Sequence, residues 1–314
     1  MNKKRRTNLP ASIRQRLLNL SRDRGEDFNL TLTRYGTERL LYRLSRSARS
    51  DQFILKGALL LSLWTDRLLR PTRDIDLLGY GDSSQEALTQ LFRDICVADV
   101  QADGLTFHPD TVRVTEIRED QESGGQRVQM TATLGNARIH LQVAIGFGDV
   151  ITPAADEVEY PSLLGLPSPR LRVYPRETVI AEKLEAMVVL AMANSRMKDF
   201  YDVWMMSREL QFDGRTLARA IQATFQRRRS RLPHTAPTAF TEEFAGDHDK
   251  GRQWNAFLSR NRLDAGGMDL TQVVREIHLF LMPPIIAAAK GQAFEDTWPV
   301  GGPWVAEKEM ARGS

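Results

Sequence analysis

Two acidic residues one position apart in an apolar run are the first feature of this sequence that suits chemistry. Asp74 and Asp76 flank Ile75 and precede Leu77 and Leu78, and this run predicts a short strand. Because side chains alternate faces along a strand, both carboxylates are expected on one face, roughly 7 Å apart. Hard oxygen ligands of this kind bind Mg²⁺ together with substrate phosphates. The pair therefore predicts a site for Mg²⁺ or Mn²⁺.

A glycine upstream of this pair suits phosphate binding. Lys56, Gly57 and Ala58 open an apolar stretch that predicts a helix. A glycine at a helix N-terminus lets backbone N–H groups approach a phosphate closely, and the helix dipole favours the anion. Taken singly, such a glycine or such an acidic pair is more often an ordinary turn. In combination, a phosphate-binding turn followed by a metal-binding strand is the arrangement that nucleotidyl transfer requires.

The composition excludes several classes of protein. The chain has 314 residues, of which 42% are hydrophobic and 26% charged, as in a globular protein of one large or two smaller domains. No stretch approaches the roughly 18 uncharged apolar residues of a membrane span, and no apolar signal core follows the basic N-terminus. We therefore expect a cytoplasmic protein with no membrane partner. The single cysteine, Cys96, fits a buried apolar side chain there.

The net charge of +3 is unevenly distributed. Dense basic clusters occur at Lys3–Arg6 and at Arg227–Arg231. Such clusters either contact nucleic acid phosphates or form solvated helix ends, and the sequence alone favours the second interpretation.

Hydrophobic periodicity divides the chain into four parts. Residues 1–50 carry helical leucine spacing and predict an N-terminal helical brace, whereas residues 51–165 predict an α/β core. In that core, Phe53–Gly79 is expected to be a helix followed by a strand, and three alternating strands join Asp74–Gly79 in a mixed, mainly antiparallel sheet. A proline-rich connector follows, residues 166–290 predict a helical domain, and residues 291–314 predict a poorly ordered tail. The fold class is α+β, with an α/β mixed-sheet core and a C-terminal helical domain.

The order of these motifs resembles the AbiEii family of abortive-infection nucleotidyltransferase toxins, of the DNA polymerase β superfamily, to which the mycobacterial MenT toxins also belong. The resemblance rests on Leu55–Leu60, Arg70–Gly79, Tyr174–Lys183 and Asn194–Asp202, and extends from about residue 10 to about residue 290. It implies transfer of a nucleotide from an NTP to an RNA acceptor, the 3′ end of a tRNA, which blocks translation. It also implies an antitoxin encoded beside the toxin.

A lysine on a mostly apolar helix side is the first residue that the resemblance reinterprets. Lys183 shares one side with Ile180, Leu184 and Met187 by helical spacing. By itself this pattern favours a side chain that reaches solvent along the helix or forms an ion pair. The resemblance places the family's essential lysine at Lys183, which implies that it binds the triphosphate and offsets charge on the leaving pyrophosphate. Arg73 is assigned to the nucleotide on the same basis.

Two aspartates separated by one helical turn follow this lysine. Asp199 and Asp202 fit the family pattern Arg-x-x-Asp-x-x-Asp, which begins here at Arg196. The resemblance implies that Asp199 is an active-site carboxylate and that Asp202 orients Lys183 or caps a neighbouring helix. Arg196 either contacts phosphate or RNA, or pairs with these acids.

One position departs from the family pattern. A carboxylate on a neighbouring strand completes the metal site of the superfamily, and the resemblance places that position at Ala144. Gln142 lies on the same predicted strand face and offers a neutral carbonyl oxygen. The chain is therefore either an enzyme whose metal site is reduced to Asp74 and Asp76, or a catalytically weakened nucleotide- or RNA-binding module of the same fold, by nature or by an introduced substitution.

Overall fold

The computed structural model of the protein describes residues 8–65, 70–117 and 125–306. These residues form two compact units. Unit 1 consists of the chain up to Leu63 with Pro71–Gly148 and Asp156–Val173, and unit 2 consists of Trp64–Arg70, Asp149–Ala155 and the chain from Tyr174 onward. The sequence predicted one boundary near residue 165. In the structure, unit 1 extends to Val173, and two short earlier segments belong with the C-terminal helices.

Unit 1 is built on a seven-stranded sheet. The strands are β1 (Phe53–Lys56), β2 (Asp74–Gly79), β3 (Leu105–Ile117), β4 (Gly125–Leu134), β5 (Ala137–Phe147), β6 (Asp156–Glu159) and β7 (Arg170–Val173). The helices are α1 (Leu9–Asp23), α2 (Phe28–Ser45), α3 (Leu61–Trp64), which a 3-10 turn over Gly57–Leu60 precedes, and α4 (Gln85–Cys96). Asp27 and Ser84 cap α2 and α4 through their side-chain oxygens, which satisfies backbone N–H groups that have no partner in the helix.

The sheet places the acidic strand at its centre. The strand order is β3-β4-β5-β2-β1-β7-β6. β2 pairs parallel with β5 and antiparallel with β1, and β1 pairs parallel with β7. The remaining pairs are antiparallel. The predicted mixed, mainly antiparallel sheet is confirmed, and β2 has a hydrogen-bonded neighbour on each side.

The two faces of the sheet differ in polarity. Ile139, Leu141 and Val143 are buried, and Gly36 of α2 lies against the first two. A β-carbon on Gly36 would come 3.0 Å from Ile139, so the missing side chain lets the helix approach the sheet. Residues that alternate with these, such as His140 and Gln142, are exposed or partly exposed. The face that carries Asp74 and Asp76 is therefore the polar one.

Two local predictions in unit 1 differ from the structure. Phe53–Lys56, expected to enter a helix, is a strand because its apolar residues pair with a neighbour on each side. The helical turn begins only at Gly57. The proline-rich segment, expected to be an irregular connector, adds β6 and β7 to the sheet. Glu38 anchors it, because its carboxylate accepts hydrogen bonds from the Ser162 hydroxyl and the Leu163 N–H at 3.0 and 2.8 Å.

Unit 2 is helical. Its helices are α5 (Arg176–Leu190), α6 (Met197–Glu209), α7 (Gly214–Arg227), α8 (Glu242–Ala245), α9 (His248–Asn261) and α10 (Leu270–Lys290). The sequence predicted α5, α6, α7 and α10. It missed α9, whose buried residues are only Lys250 and Trp254, because so few apolar positions produce no periodic signal.

Helix α10 is the one helix among the described residues that is long and apolar enough to cross a membrane. Half of its most apolar window is buried inside the structure. Ile277 and Leu281 are fully buried, and the helix packs against α6 and α7. It therefore has the packing of a core helix of unit 2.

Residues 291–306 are packed, although the sequence predicted a poorly ordered tail from residue 291. Thr297–Trp298 forms β9, which pairs with β8 (Phe212–Asp213). The indole N–H of Trp298 donates to the Ser207 carbonyl oxygen at 2.7 Å, and the Trp304 ring stacks on Phe280 with ring centroids 5.9 Å apart. The predicted tail from residue 307 onward lies outside the described residues.

Candidate active site

The two acidic residues lie where the sequence predicted, on one face of a strand. Asp74 begins β2 and is exposed, and Asp76 is partly exposed, whereas Ile75 and Leu77 are each 1% exposed in the core. Burial of the apolar neighbours fixes the strand, so both carboxylates project from a rigid face.

Gly57 lies directly against the second of these carboxylates. It has a φ of +77°, a conformation that side-chain-bearing residues rarely adopt. A β-carbon at this position would lie 2.9 Å from Asp76 Cβ and would overlap the Asp76 carboxylate. Lys56 is the residue that pairs with Asp76 across β1 and β2, and Ala58 is buried. The structure thus brings the predicted phosphate turn and the acidic pair together, although the turn opens a 3-10 segment rather than a long helix.

The position of the expected third carboxylate is next to Asp76. Ala144 on β5 pairs with Asp76 on β2, and Arg127 on β4 pairs with Ala144. Paired residues share one face of a sheet. Ala144 thus occupies the place where a third carboxylate would reach a cation held by Asp76, and its other cross-strand neighbour is an exposed arginine. Sequence reasoning missed Arg127, because only the register of three strands places it in this row.

A second row passes through Asp74. Gln142 pairs with Asp74 and with Gln129, and the Gln142 carbonyl oxygen accepts a hydrogen bond from the Gln129 amide at 3.2 Å. That oxygen, proposed from the sequence as a neutral metal ligand, is therefore already the partner of a neighbouring side chain.

The donor set fits a cation that is bound with its substrate. In the part of the chain that the structure describes, no group of three or more histidine, cysteine, aspartate or glutamate side chains is placed to hold a metal. Mg²⁺ commonly binds through one or two carboxylates, several waters and substrate phosphates, without a complete protein cage. The carboxylates of Asp74 and Asp76 have the chemistry of such a partial site.

Unit 2 contains a separate cluster of charges around Lys183. The ammonium of Lys183 on α5 donates to Asp199 Oδ1 at 2.8 Å and to Asp202 Oδ2 at 2.7 Å, both on α6. The side chains of Asp199 and Asp202 are 1% and 0% exposed. Burying two carboxylates without partners would be very costly, so the lysine satisfies both. The ion pair that the sequence suggested for Lys183 is therefore present.

Two arginines complete this cluster. Arg70 donates two parallel hydrogen bonds of 2.6 and 2.9 Å to the Asp202 carboxylate. This is the bidentate geometry that suits a guanidinium and a carboxylate. Arg196 Nε donates to Asp199 Oδ2 at 2.6 Å. Among the described residues, Lys183, Arg70 and Arg196 thus each form an ion pair with one or both of these carboxylates. Arg70 belongs to a motif of the sequence but received no role from it, since its partner lies 132 residues away.

The charges in the cluster hold its lysine and Asp199 ionised. Burial alone would lower the pKa of Lys183, but the carboxylates of Asp199 and Asp202 outweigh it and raise that pKa above its usual value. Burial likewise opposes ionisation of Asp199, and the charges of Lys183 and Arg196 reverse this and lower its pKa. An ammonium has three donors, and the two carboxylates use two of them.

The turn before α6 is fixed by a buried amide. Asn194 is 0% exposed, and its side-chain oxygen accepts from the Arg196 N–H at 2.8 Å. Its backbone carbonyl accepts from the Lys250 ammonium at 2.9 Å. These bonds hold the start of α6, and so direct Asp199 and Asp202 toward Lys183. The sequence assigned distinct roles to these two aspartates; that division stays a prediction, because both contact the ammonium.

The second basic cluster is partly structural. Arg228 contacts Glu185 at 2.9 Å, Asp149 at 3.5 Å and Glu182 at 3.6 Å, and these acids explain why its pKa is raised despite burial. Its charge is therefore used inside unit 2. The first cluster, Lys3–Arg6, lies outside the described residues.

Comparisons with known proteins identify the family. A family model described as the nucleotidyl transferase AbiEii toxin of a type IV toxin–antitoxin system matches residues 39–269. Two solved structures are similar: Helicobacter pylori JHP933, at 15% identity and a TM-score of 0.44 over 81% of this chain and 88% of that one, and a candidate nucleotidyltransferase of the same organism, at 15% identity and a TM-score of 0.45 over 81% and 91%. The comparison with curated proteins gave no significant match. Because the family model spans most of the sequence, the chain belongs to the AbiEii family of nucleotidyltransferase toxins of type IV toxin–antitoxin systems.

Proposed function

We propose that this protein transfers a nucleotidyl group from an NTP to the 3′ hydroxyl of a tRNA and thereby stops translation. The observation that carries the chemistry is the pair Asp74 and Asp76 on an open strand face, with Gly57 against Asp76. Family membership implies a nucleotide substrate and an antitoxin partner. The tRNA acceptor is inferred from the family resemblance, and a cytoplasmic location follows from these substrates.

Asp74 and Asp76 are the residues that would hold Mg²⁺ or Mn²⁺. Bound there with the triphosphate, the cation would neutralise phosphate charge and lower the pKa of the acceptor hydroxyl. The protein contributes a rigid pair of hard oxygens whose mutual repulsion the cation relieves.

The remaining assigned residues act on the nucleotide. Gly57 has no side chain, so its backbone N–H and that of Ala58 can approach a phosphate closely. Lys56 and Arg73 supply positive charge to the triphosphate. Lys183, kept charged by Asp199 and Asp202, has a third donor for a phosphate oxygen and offsets charge on the leaving pyrophosphate.

The transfer itself needs positioning more than covalent chemistry. The acceptor hydroxyl oxygen bonds to the α-phosphorus, the bond from that phosphorus to the bridging oxygen of the β-phosphate breaks, and pyrophosphate leaves. The hydroxyl proton passes to solvent, and the Asp74 carboxylate accepts its hydrogen bond beforehand. Holding the two reactants in line accounts for much of the rate that such a site provides.

A second candidate function is favoured by one observation. Ala144 is the cross-strand neighbour of Asp76, and Arg127 is the cross-strand neighbour of Ala144. The site therefore lacks the third carboxylate of the family pattern and has a guanidinium group nearby. Two carboxylates attract a divalent cation less strongly than three. The alternative is a module of this fold that binds nucleotide or RNA without transferring label.

Labelled nucleotides separate the two functions. The full-length chain is incubated with each α-³²P-labelled NTP, Mg²⁺ and total tRNA, and the RNA is resolved on a denaturing gel. The enzyme moves label into tRNA, and periodate oxidation of the tRNA 3′ end beforehand abolishes this. Label bound to protein but absent from RNA, with the same result for Asp74→Asn, supports the binding module. Label that survives periodate treatment contradicts the 3′-end assignment.

A further inference from the structure

Unit 1 contains a cavity that begins at the acidic strand. The cavity has a volume of about 590 Å³, within the roughly 300–1,000 Å³ of small-molecule sites. Its lining includes Asp74 and Arg73 at the start of β2, Arg138 and Gln142 on β5, and Asn29 and Thr33 on α2. One of the two proposed metal carboxylates is therefore part of its wall.

The position of the cavity follows from strand lengths. β5 starts at Ala137, whereas its pairing with β2 starts only at Gln142. The first part of β5 thus has no β2 partner, and residues of this segment line the cavity. Arg73, the residue immediately before β2, also belongs to the lining.

The cavity lies on the other side of β2 from the phosphate turn. β1, which ends at Lys56 and leads into Gly57, flanks β2 on one side, and β5 flanks it on the other. Gly57 and Asp76 are not part of the cavity lining. Unit 1 therefore offers two separate places next to the acidic pair, one on each side of the strand that carries it.

The chemistry of the walls suits one residue of RNA. Leu32, Ile139 and Leu141 belong to the lining but are buried, so polar side chains provide the groups that a base can contact. The amides of Gln129 and Gln142 are ordered by their mutual hydrogen bond of 3.2 Å, and amide groups of this kind pair with base edges. The exposed guanidinium group of Arg138 can bind a phosphate.

We propose that this cavity binds the nucleotide that carries the acceptor hydroxyl, with its base against the amides of Gln129 and Gln142 and its hydroxyl toward Asp74. The proposal rests on the proposed function and names the residues that select the acceptor. Its occupant is the end of a single-stranded RNA, because the Arg138 guanidinium suits the phosphate that joins the last nucleotide to the preceding one. Arg138 and Thr33 are specificity residues of this site.

Two variants test the proposal, with one matched control. Arg138→Ala removes a phosphate-binding charge, and Thr33→Trp fills the cavity from α2 at a partly exposed position. Arg93→Ala removes the same charge from an exposed position on α4, which is not part of the cavity lining. Circular dichroism and thermal unfolding establish that each variant is folded.

Two measurements are made on each protein. Binding of a fluorescein-labelled trinucleotide RNA with a free 3′ hydroxyl is followed by anisotropy without NTP, and the Michaelis constants for tRNA and NTP are measured in the transfer reaction. Arg138→Ala should weaken trinucleotide binding and raise the tRNA Michaelis constant about tenfold, the loss expected for one charge-assisted hydrogen bond. The Michaelis constant for NTP should stay within about twofold of wild type. Arg93→Ala should change neither trinucleotide binding nor the Michaelis constant for tRNA.

The outcomes separate this proposal from the proposed function. If both cavity variants transfer nucleotide with an unchanged Michaelis constant for tRNA, the acceptor role of the cavity is refuted, whereas the proposed transferase function is not. A rise confined to the NTP constant makes the cavity a donor site and also overturns the proposal. If wild-type protein shows no transfer, trinucleotide binding that Thr33→Trp abolishes still supports the cavity, whereas absence of binding to the wild type overturns it.

Discussion

Gly57 and Asp76 occupy neighbouring space that leaves no room for a β-carbon. At position 57 such an atom would lie 2.9 Å from both Cβ and Cγ of Asp76, closer than packed carbon atoms approach. The turn at Gly57 and the strand β2 are consequently packed directly against each other. A change in one residue must move the other.

The first prediction follows from this contact. Gly57→Ala should abolish nucleotide transfer and reduce Mn²⁺ affinity, because the new methyl group displaces the Asp76 carboxylate. The positive φ of residue 57 adds about 1–2 kcal/mol of strain for any side chain. Gly165→Ala is the matched control, since Gly165 has a φ of +68° and no atom within 4 Å of the point where a β-carbon would lie. Equal losses of activity in the two variants would show that strain, and not the Asp76 contact, matters.

Asp74 should be indispensable for activity and nearly neutral for stability. Asp74→Ala removes one of two proposed metal carboxylates, so transfer and growth arrest should disappear. Because the side chain is exposed and faces a second carboxylate, the free energy of unfolding should change by less than about 0.5 kcal/mol. Urea denaturation and a growth assay measure both effects, with Asp99→Ala as an exposed control. Growth arrest close to wild type in Asp74→Ala would refute the metal-site assignment.

Lys183 should matter for both stability and nucleotide binding. Lys183→Ala deprives two buried carboxylates of the ammonium that they share, which should cost about 3 kcal/mol of unfolding free energy. Lys183→Arg should restore part of that stability but not NTP affinity, because a planar fork replaces a compact ammonium. Calorimetric titration with a non-hydrolysable NTP on folded protein measures affinity. Wild-type affinity in both variants would limit Lys183 to its structural ion pairs.

The charge cluster predicts a specific dependence of stability on pH. The pKa of Asp199 is lowered below its ordinary value of 3.8. Its ionised form therefore stabilises the fold above that value, and this contribution is lost as the pH falls through the lowered pKa. The difference in unfolding free energy between wild type and Asp199→Asn should be about 3 kcal/mol near pH 7 and shrink below about pH 4. A difference that stays constant down to about pH 3 would contradict the assigned ionisation.

Ala144 should be the position that limits cation binding. Ala144→Asp places a third carboxylate beside Asp76, so Mn²⁺ affinity and nucleotide transfer should both rise, and expression should become more toxic. Arg127→Ala in the same background should raise Mn²⁺ affinity further, because a neighbouring cation is removed. Titration calorimetry and the transfer assay measure these changes. Activity that is already high and unchanged would show that two aspartates suffice, and absent activity would favour the binding module.

Much of the fold follows from local patterns in the sequence. The leucine spacing of α1 and α2, the alternation of β3, β4 and β5, and the caps Asp27 and Ser84 each depend on a few neighbouring residues. Such signals survive without knowledge of distant contacts. The placement of Asp74 and Asp76 on one strand face is of this kind, because period-two alternation alone determines it.

Other features depend on residues far apart in the chain. Arg127 lies next to Ala144 only because β4 and β5 pair in one register. Arg70 forms its ion pair with Asp202, which lies 132 positions later in the sequence. The short strands β6 and β7, mostly charged in sequence, form because β1 offers β7 a partner and β7 in turn offers one to β6, while Glu38 holds the loop between them through Ser162 and Leu163. Local propensity is weak at such places, and tertiary contacts override it.

The sequence by itself therefore determined which chemical groups this protein has: two carboxylates on one strand face, a glycine turn before them and a lysine with two aspartates beyond. Only the tertiary structure decided the partners of those groups. In the folded protein, Lys183 donates hydrogen bonds to Asp199 and Asp202, and Gly57 lies against Asp76. A cavity forms where β5 extends past the start of β2. The physical reason is that side-chain type and spacing are encoded locally, whereas strand register, burial and charge pairing arise only when distant segments pack together.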